Sequence, residues 1–162
     1  QGELTASQGA VWLNSQDDIV NQGAAARITG VTEVRLDTAN HIDNSAGANL
    51  LANDLLHLAA NRITNAGNLY GPESPVQRIE IQAADHFDNS GSVVADVLLD
   101  INANQYTNQG TVGSFGDAVL TLPGVWSAAA NPLIAKGNLQ LDVQGISVAA
   151  GESWVSDAVW VG

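Results

Sequence analysis

An Asn-centred turn recurs five times at nearly one spacing, and no other feature of the chain constrains its fold as tightly. The copies are Asp18-Ile19-Val20-Asn21-Gln22-Gly23, His41-Ile42-Asp43-Asn44-Ser45-Ala46-Gly47, Arg62-Ile63-Thr64-Asn65-Ala66-Gly67, His86-Phe87-Asp88-Asn89-Ser90-Gly91 and Gln105-Tyr106-Thr107-Asn108-Gln109-Gly110. By subtraction, Asn21, Asn44, Asn65, Asn89 and Asn108 lie 23, 21, 24 and 19 residues apart. An apolar or aromatic residue stands two positions before each. Asn and Gly tolerate positive φ, so each copy reads as a tight turn.

A period-2 apolar pair precedes every turn: Val11/Leu13, Val34/Leu36, Leu56/Leu58, Ile79/Ile81 and Leu99/Ile101. The second members fall 8, 8, 7, 8 and 7 residues before the turn Asn. Such alternation marks strands with one buried face. A third apolar position follows the turns at Ile28, Leu50, Leu69, Val93 and Val112. Each repeat therefore holds about three short strands separated by corners, with no room for a helical crossover.

One repeat cannot bury its own apolar face. Stacking repeats as coils, at ~4.8 Å per step, buries the inward residues of each against its neighbours. The turn Asn residues then form a column with amides hydrogen-bonded from coil to coil. The predicted fold is all-β, a parallel β-helix of about seven coils of roughly 19–24 residues across 1–162. A β-sandwich also accommodates frequent turns, but gives no reason for the same turn to return at one period. Regular coils are expected over 1–122. Residues 123–162 are expected to hold irregular coils or a loop excursion, because Ala118-Val119-Leu120-Thr121-Leu122 runs into Pro123-Gly124-Val125-Trp126 without the usual turn. Gly137-Asn138-Leu139-Gln140-Leu141-Asp142-Val143 then restores a strand pair, with Ile146 and Val148 as the next inward candidates.

Charge and composition narrow the function. The net charge is -12 with only five Lys plus Arg, a surface that repels phosphate backbones and anionic lipids. Nucleic acid is therefore not expected as a partner. With no Cys, disulfides, thiolate metal sites and Cys nucleophiles drop out. No apolar run approaches the ~20 residues of a membrane-spanning helix, so membrane insertion is not expected. Gln1-Gly2-Glu3-Leu4-Thr5 does not resemble a signal peptide, and the chain begins mid-pattern, as a fragment would.

The turn segments at 41–47 and 86–91 resemble the (I/L/F)-D-N-x-G unit of filamentous haemagglutinin-type repeats, and Gly137–Val143 is similar to the GNL-x-L strand of the same repeats. The resemblance covers most of residues 1–122 well and the remainder loosely. It implies a right-handed parallel β-helix within a large exoprotein of the two-partner secretion type from Gram-negative bacteria. Exoproteins of that type are secreted through an outer-membrane transporter to the cell surface. They act as adhesins, haemolysins or contact-dependent growth-inhibition effectors, meeting a receptor protein or glycan on a target cell. The role of the parent, adhesin or toxin carrier, stays open at this point.

Chemistry is sparse by the same reading. His41 and His86 occupy equivalent positions two coils apart, about 9–10 Å by strand spacing, too far for both rings to hold one ion. Arg62 falls between them. Alternation points His57 outward. Asp43, Asp88, Asp17-Asp18 and Asp85 scatter without a recurring basic partner, and no calcium-binding nonapeptide repeat is present. No catalytic residue, metal site or cofactor is assigned, and the expectation is a non-enzymatic stalk segment. The alternative is a carbohydrate-binding or carbohydrate-active β-helix. Trp126, Trp154 and Trp160, clustered where the turn motif fails, are the candidate partner-binding residues.

Overall fold

Apolar alternation on short strands dictates a coil whose inward residues need a second coil above or below, and the chain stacks in that way. The computed structural model describes residues 2–70, 75–127, 131–148 and 158–162. Every element among them is a strand, every strand pairing is parallel, and the stack makes about seven turns.

Among the described residues the strands fall into three stacks. The first stack carries the apolar pairs, in register from Val11 through Val34, Leu56, Ile79, Leu99, Ala118 and Leu139 to Val159. The second carries the turn Asn residues, with Ile19, Ile42, Ile63, Phe87 and Tyr106 as its inward column. The third runs Leu4, Ile28, Leu50, Leu69, Val93, Val112. In early coils the stacks are separate strands, such as Val11–Ser15 and Ile19–Asn21; later they merge across the corner into Leu55–Asn65, Val76–Asn89 and Ser92–Asn108. A register slip between Ala83 and His86 takes up the bend.

Like residues meet along the axis. Leu36, Leu58, Ile81, Ile101 and Leu120 are buried one over another, each Leu or Ile contributing roughly 1.5–3 kcal/mol by its burial. Phe87 and Tyr106 stack with ring centroids 5.6 Å apart. The Tyr106 hydroxyl is buried without a hydrogen-bond partner, and burial pushes the phenol well above its ordinary range.

Among the described residues of the last third, the strands continue the stack. Asp117–Ser127 stacks on the preceding coil and on Asn138–Ser147, with only a register slip between Leu122 and Val125 at the Pro123-Gly124 step. Ile134–Ala135 pairs with Gly113 and Ser114 in the third stack. Ile146 packs against the core, whereas Val148 is exposed and does not take the inward place expected for it.

The turn glycines correct the conformational reading. Only Gly23 and Gly47 have positive φ; Gly67, Gly91 and Gly110 do not. They stand instead where successive coils lie closest, and a Cβ on any of them would overlap a backbone carbonyl oxygen of the preceding coil. One residue does carry strain, since Ala25 has φ 80° at the place that Gly47 fills one coil on, as the register Arg27↔Asn49 shows. A left-handed Ala costs about 1–2 kcal/mol. Ala25→Gly is therefore expected to raise the urea midpoint, with a net gain of about 0.5–1 kcal/mol after the greater freedom of Gly in the unfolded chain. A lower midpoint would contradict the assignment.

Candidate functional site

The Asn column is continuous. Asn21, Asn44, Asn65 and Asn89 each donate from Nδ2 to Oδ1 of the Asn one coil on, at 2.8, 2.8, 2.7 and 2.8 Å. The second amide hydrogen of each reaches a backbone carbonyl across the turn: Asn49, Asn68, Ser92 and Thr111 respectively. All five side chains are buried, so the ladder satisfies polar groups that would otherwise be costly to enclose. A sixth Asn joins it. Asn131 accepts from the Asn108 backbone N–H through Oδ1 at 2.7 Å, and Asn108 Nδ2 donates to the Pro132 carbonyl. The signal was a 23-residue step from Asn108; Pro132 directly after the Asn, where the other copies have Gln, Ser or Ala, disguised it.

Of the three Trp residues chosen from sequence, Trp126 and Trp160 lie in different surroundings. Trp126 is 2% exposed, and its indole Nε1 donates to the Asn131 carbonyl at 3.1 Å. It fills the core beside the last rung of the Asn column and presents no face to a partner. Trp154 lies outside the described residues. Trp160 is 67% exposed. Trp12, not singled out by sequence, is 71% exposed in the same outward column, with its Nε1 on Glu33 at 3.1 Å.

That column, on the outer face of the first stack, also holds the charged cluster. It runs Trp12, Arg35, His57, Glu80, Asp100, Val119, Gln140, Trp160. His57 points outward as alternation requires, yet it is only 6% exposed, contrary to a surface reading. Carboxylates of the adjacent coils close over it: Nδ1 meets Glu80 Oε2 at 2.9 Å, and Nε2 lies 3.5 Å from Asp37 Oδ1. Alternation reports which way a side chain points and is silent on what stacks against it. His41 and His86 bond Thr64 and Thr107 at 2.9 Å each. Arg62 sits between them in register and pairs with Asp88 at 2.6 Å. Among the described residues no three His, Asp or Glu are grouped so as to hold a metal ion.

Asp100 is half-buried one coil beyond Glu80. Burial raises its pKa, the Glu80 charge raises it further, and Arg78 partly offsets both. A raised folded value means that the ionised carboxylate weakens the fold at neutral pH and that this penalty disappears as pH falls through that value. Asp100→Asn is expected to stabilise the chain at pH 7 by about 0.5 kcal/mol, a small gain because solvent screens a half-exposed group. The gain should shrink below about pH 4, where both states protonate. Urea midpoints at the two pH values check this; equal midpoints at pH 7 would contradict it.

Fold and column together define a parallel β-solenoid segment pinned by an Asn ladder. A stretch of 104 residues, 64% of the chain, is 32% identical to a protein of Dickeya dadantii (strain 3937) named Deoxyribonuclease CdiA, and spans 3% of that protein's length. No family model matches the chain. No solved structure matches it. The match counts against the expectation of a non-enzymatic stalk segment, because the relative is named as an enzyme.

Proposed function

We propose that this chain is a β-helical shaft segment of a large exoprotein of the contact-dependent inhibition type, secreted through an outer-membrane transporter and displayed on the bacterial surface. The observation that carries the reading is the unbroken parallel stack with its Asn ladder, supported by the likeness to Deoxyribonuclease CdiA. A solenoid converts chain length into reach, because every coil adds ~4.8 Å along one axis while contacting only its neighbours. In this role the segment holds a receptor-binding or toxin region of the parent at a set distance from the cell.

The reading is tested by deletion in the parent protein. Removing residues 45–65 takes out one coil and joins Asn44 to Ala66, which keeps every stack in register. Surface display and inhibition of target cells should survive. Removing 45–54 cuts a coil in the middle and should abolish both. Inhibition lost in both deletions while display persists in the first would contradict a shaft role.

A further inference from the structure

Between the first and second strand stacks, a shallow groove, open to solvent along its length, runs across the strands and along the solenoid axis. Its first section, about 590 Å³, crosses five coils from Asn14 to Asn102, following the register Asn14, Asp37, Ala59, Gln82, Asn102. A second section, about 380 Å³, shares Asn102 and continues through Thr121 to Asp142 and Gln144. Six coil steps make the whole run ~29 Å long.

The lining is unusual in three respects. Small residues pave the floor, with Ala60 and Ala83 buried and Ala39, Ala59 and Ala84 beside them. Amides edge it, at Asn14, Gln16, Asn61, Gln82, Asn102 and, further on, Asn104 and Gln144. Among the described residues, none of these amide side chains bonds another protein group, in contrast to the buried Asn ladder at the far end of the second stack. Neither section contains Lys or Arg, and the charged lining is Asp37 and Asp142.

Those features select a ligand class. Free amides both donate and accept, as sugar hydroxyls do, and each coil offers its polar groups at an interval of ~4.8 Å, close to the advance of one unit in an extended β-1,4-linked glycan. The carboxylates, with no cation beside them in the groove, disfavour an anionic chain. Strand addition, the mode that reads an extended peptide through its backbone, needs a sheet edge, and a groove that crosses paired strands has no edge to offer. Trp12 lies outside the lining, on the same outward face two residues before Asn14 in the first coil, with its Nε1 on Glu33 and most of its indole open, a flat amphipathic platform beside one end of the run. We propose that this groove binds a neutral, extended oligosaccharide lying along the solenoid axis, its hydroxyls on the amide row and its terminal ring on Trp12. The site is independent of the shaft role and would give the shaft a glycan contact along its side.

The test uses the ¹⁵N-labelled chain titrated with cellohexaose and with chitohexaose, reading the side-chain NH₂ signals of Asn61, Gln82 and Asn102. Saturable shifts in these signals are expected, weakened about tenfold by Gln82→Ala, roughly one hydrogen bond, and abolished by Ala59→Tyr, which fills the groove. Backbone amide spectra of both variants should otherwise superpose on the parent, so loss of fold is distinguishable. Hexagalacturonate and an Ala/Gln hexapeptide serve as controls. Absence of shifts with both neutral hexasaccharides up to about 10 mM, a weaker limit than any specific site needs, would overturn the proposal. So would shifts that persist in Ala59→Tyr, or a stronger response to either control.

Discussion

Asn65→Asp is expected to destabilise the chain by about 3–5 kcal/mol at neutral pH, the scale of an uncompensated buried charge. The substitution is nearly isosteric, so the effect isolates hydrogen-bond direction and charge. Asn65 is 0% exposed. Its amide donates to Asn89 Oδ1 at 2.7 Å and to the Ser92 carbonyl, while its own Oδ1 accepts from Asn44 at 2.8 Å. A carboxylate can still accept from Asn44, but it turns oxygen toward two other oxygens on the far side. The replacement must therefore protonate or open the turn. Protonation supplies one O–H that can donate to Asn89, so the penalty should diminish as pH falls. Urea denaturation at pH 7 and pH 4 reads both parts. A loss below about 1 kcal/mol, the level of an ordinary exposed substitution, would show that the ladder bears little of the stability.

Gly91→Ala is expected to cost about 2–4 kcal/mol, by overlap and not by backbone conformation. The new Cβ would meet the Gly67 carbonyl oxygen, with the Ala66 carbonyl carbon at 2.7 Å. These are backbone atoms of the coil beneath, so no side chain can swing aside; two coils must separate locally, and the Asn65–Asn89 rung lies next to that gap. Gly124→Ala is the control, since nothing lies within 4 Å of a Cβ there, and a change within about 0.5 kcal/mol is expected. Equal effects at the two positions would refute close coil approach as the reason for glycine in the turns.

Much of the architecture was legible in the sequence because a solenoid writes its contacts at a fixed period. Val34, Leu56 and Ile79 could be aligned by spacing alone, and they are the residues that stack. Period and alternation carry no record of what lies on the neighbouring coil, and the misreadings follow from that. The glycine at 91 looks in sequence like the one at 47, yet one answers a carbonyl below it and the other a positive φ. His57 alternates outward but is enclosed by Glu80 and Asp37 from adjacent coils. Trp126 follows a Pro-Gly step and carries no alternation signal, yet it is core. The amide groove was missed for the same reason: Asn14, Gln82 and Asn102 are each unremarkable in their own coil and become a row only by stacking.

The central claim, that sequence position maps linearly onto one axis, is tested most directly by spin-label distances. The chain has no Cys, so pairs introduced at exposed sites label uniquely. Asn14→Cys with Asn102→Cys places labels four coils apart, and Asn14→Cys with Asp142→Cys six apart, in one register column. Pulsed electron–electron resonance should return backbone separations near ~19 and ~29 Å, the second longer by about two coil rises. Equal distances for the two pairs, or a shorter one for the second, would contradict the stacked solenoid.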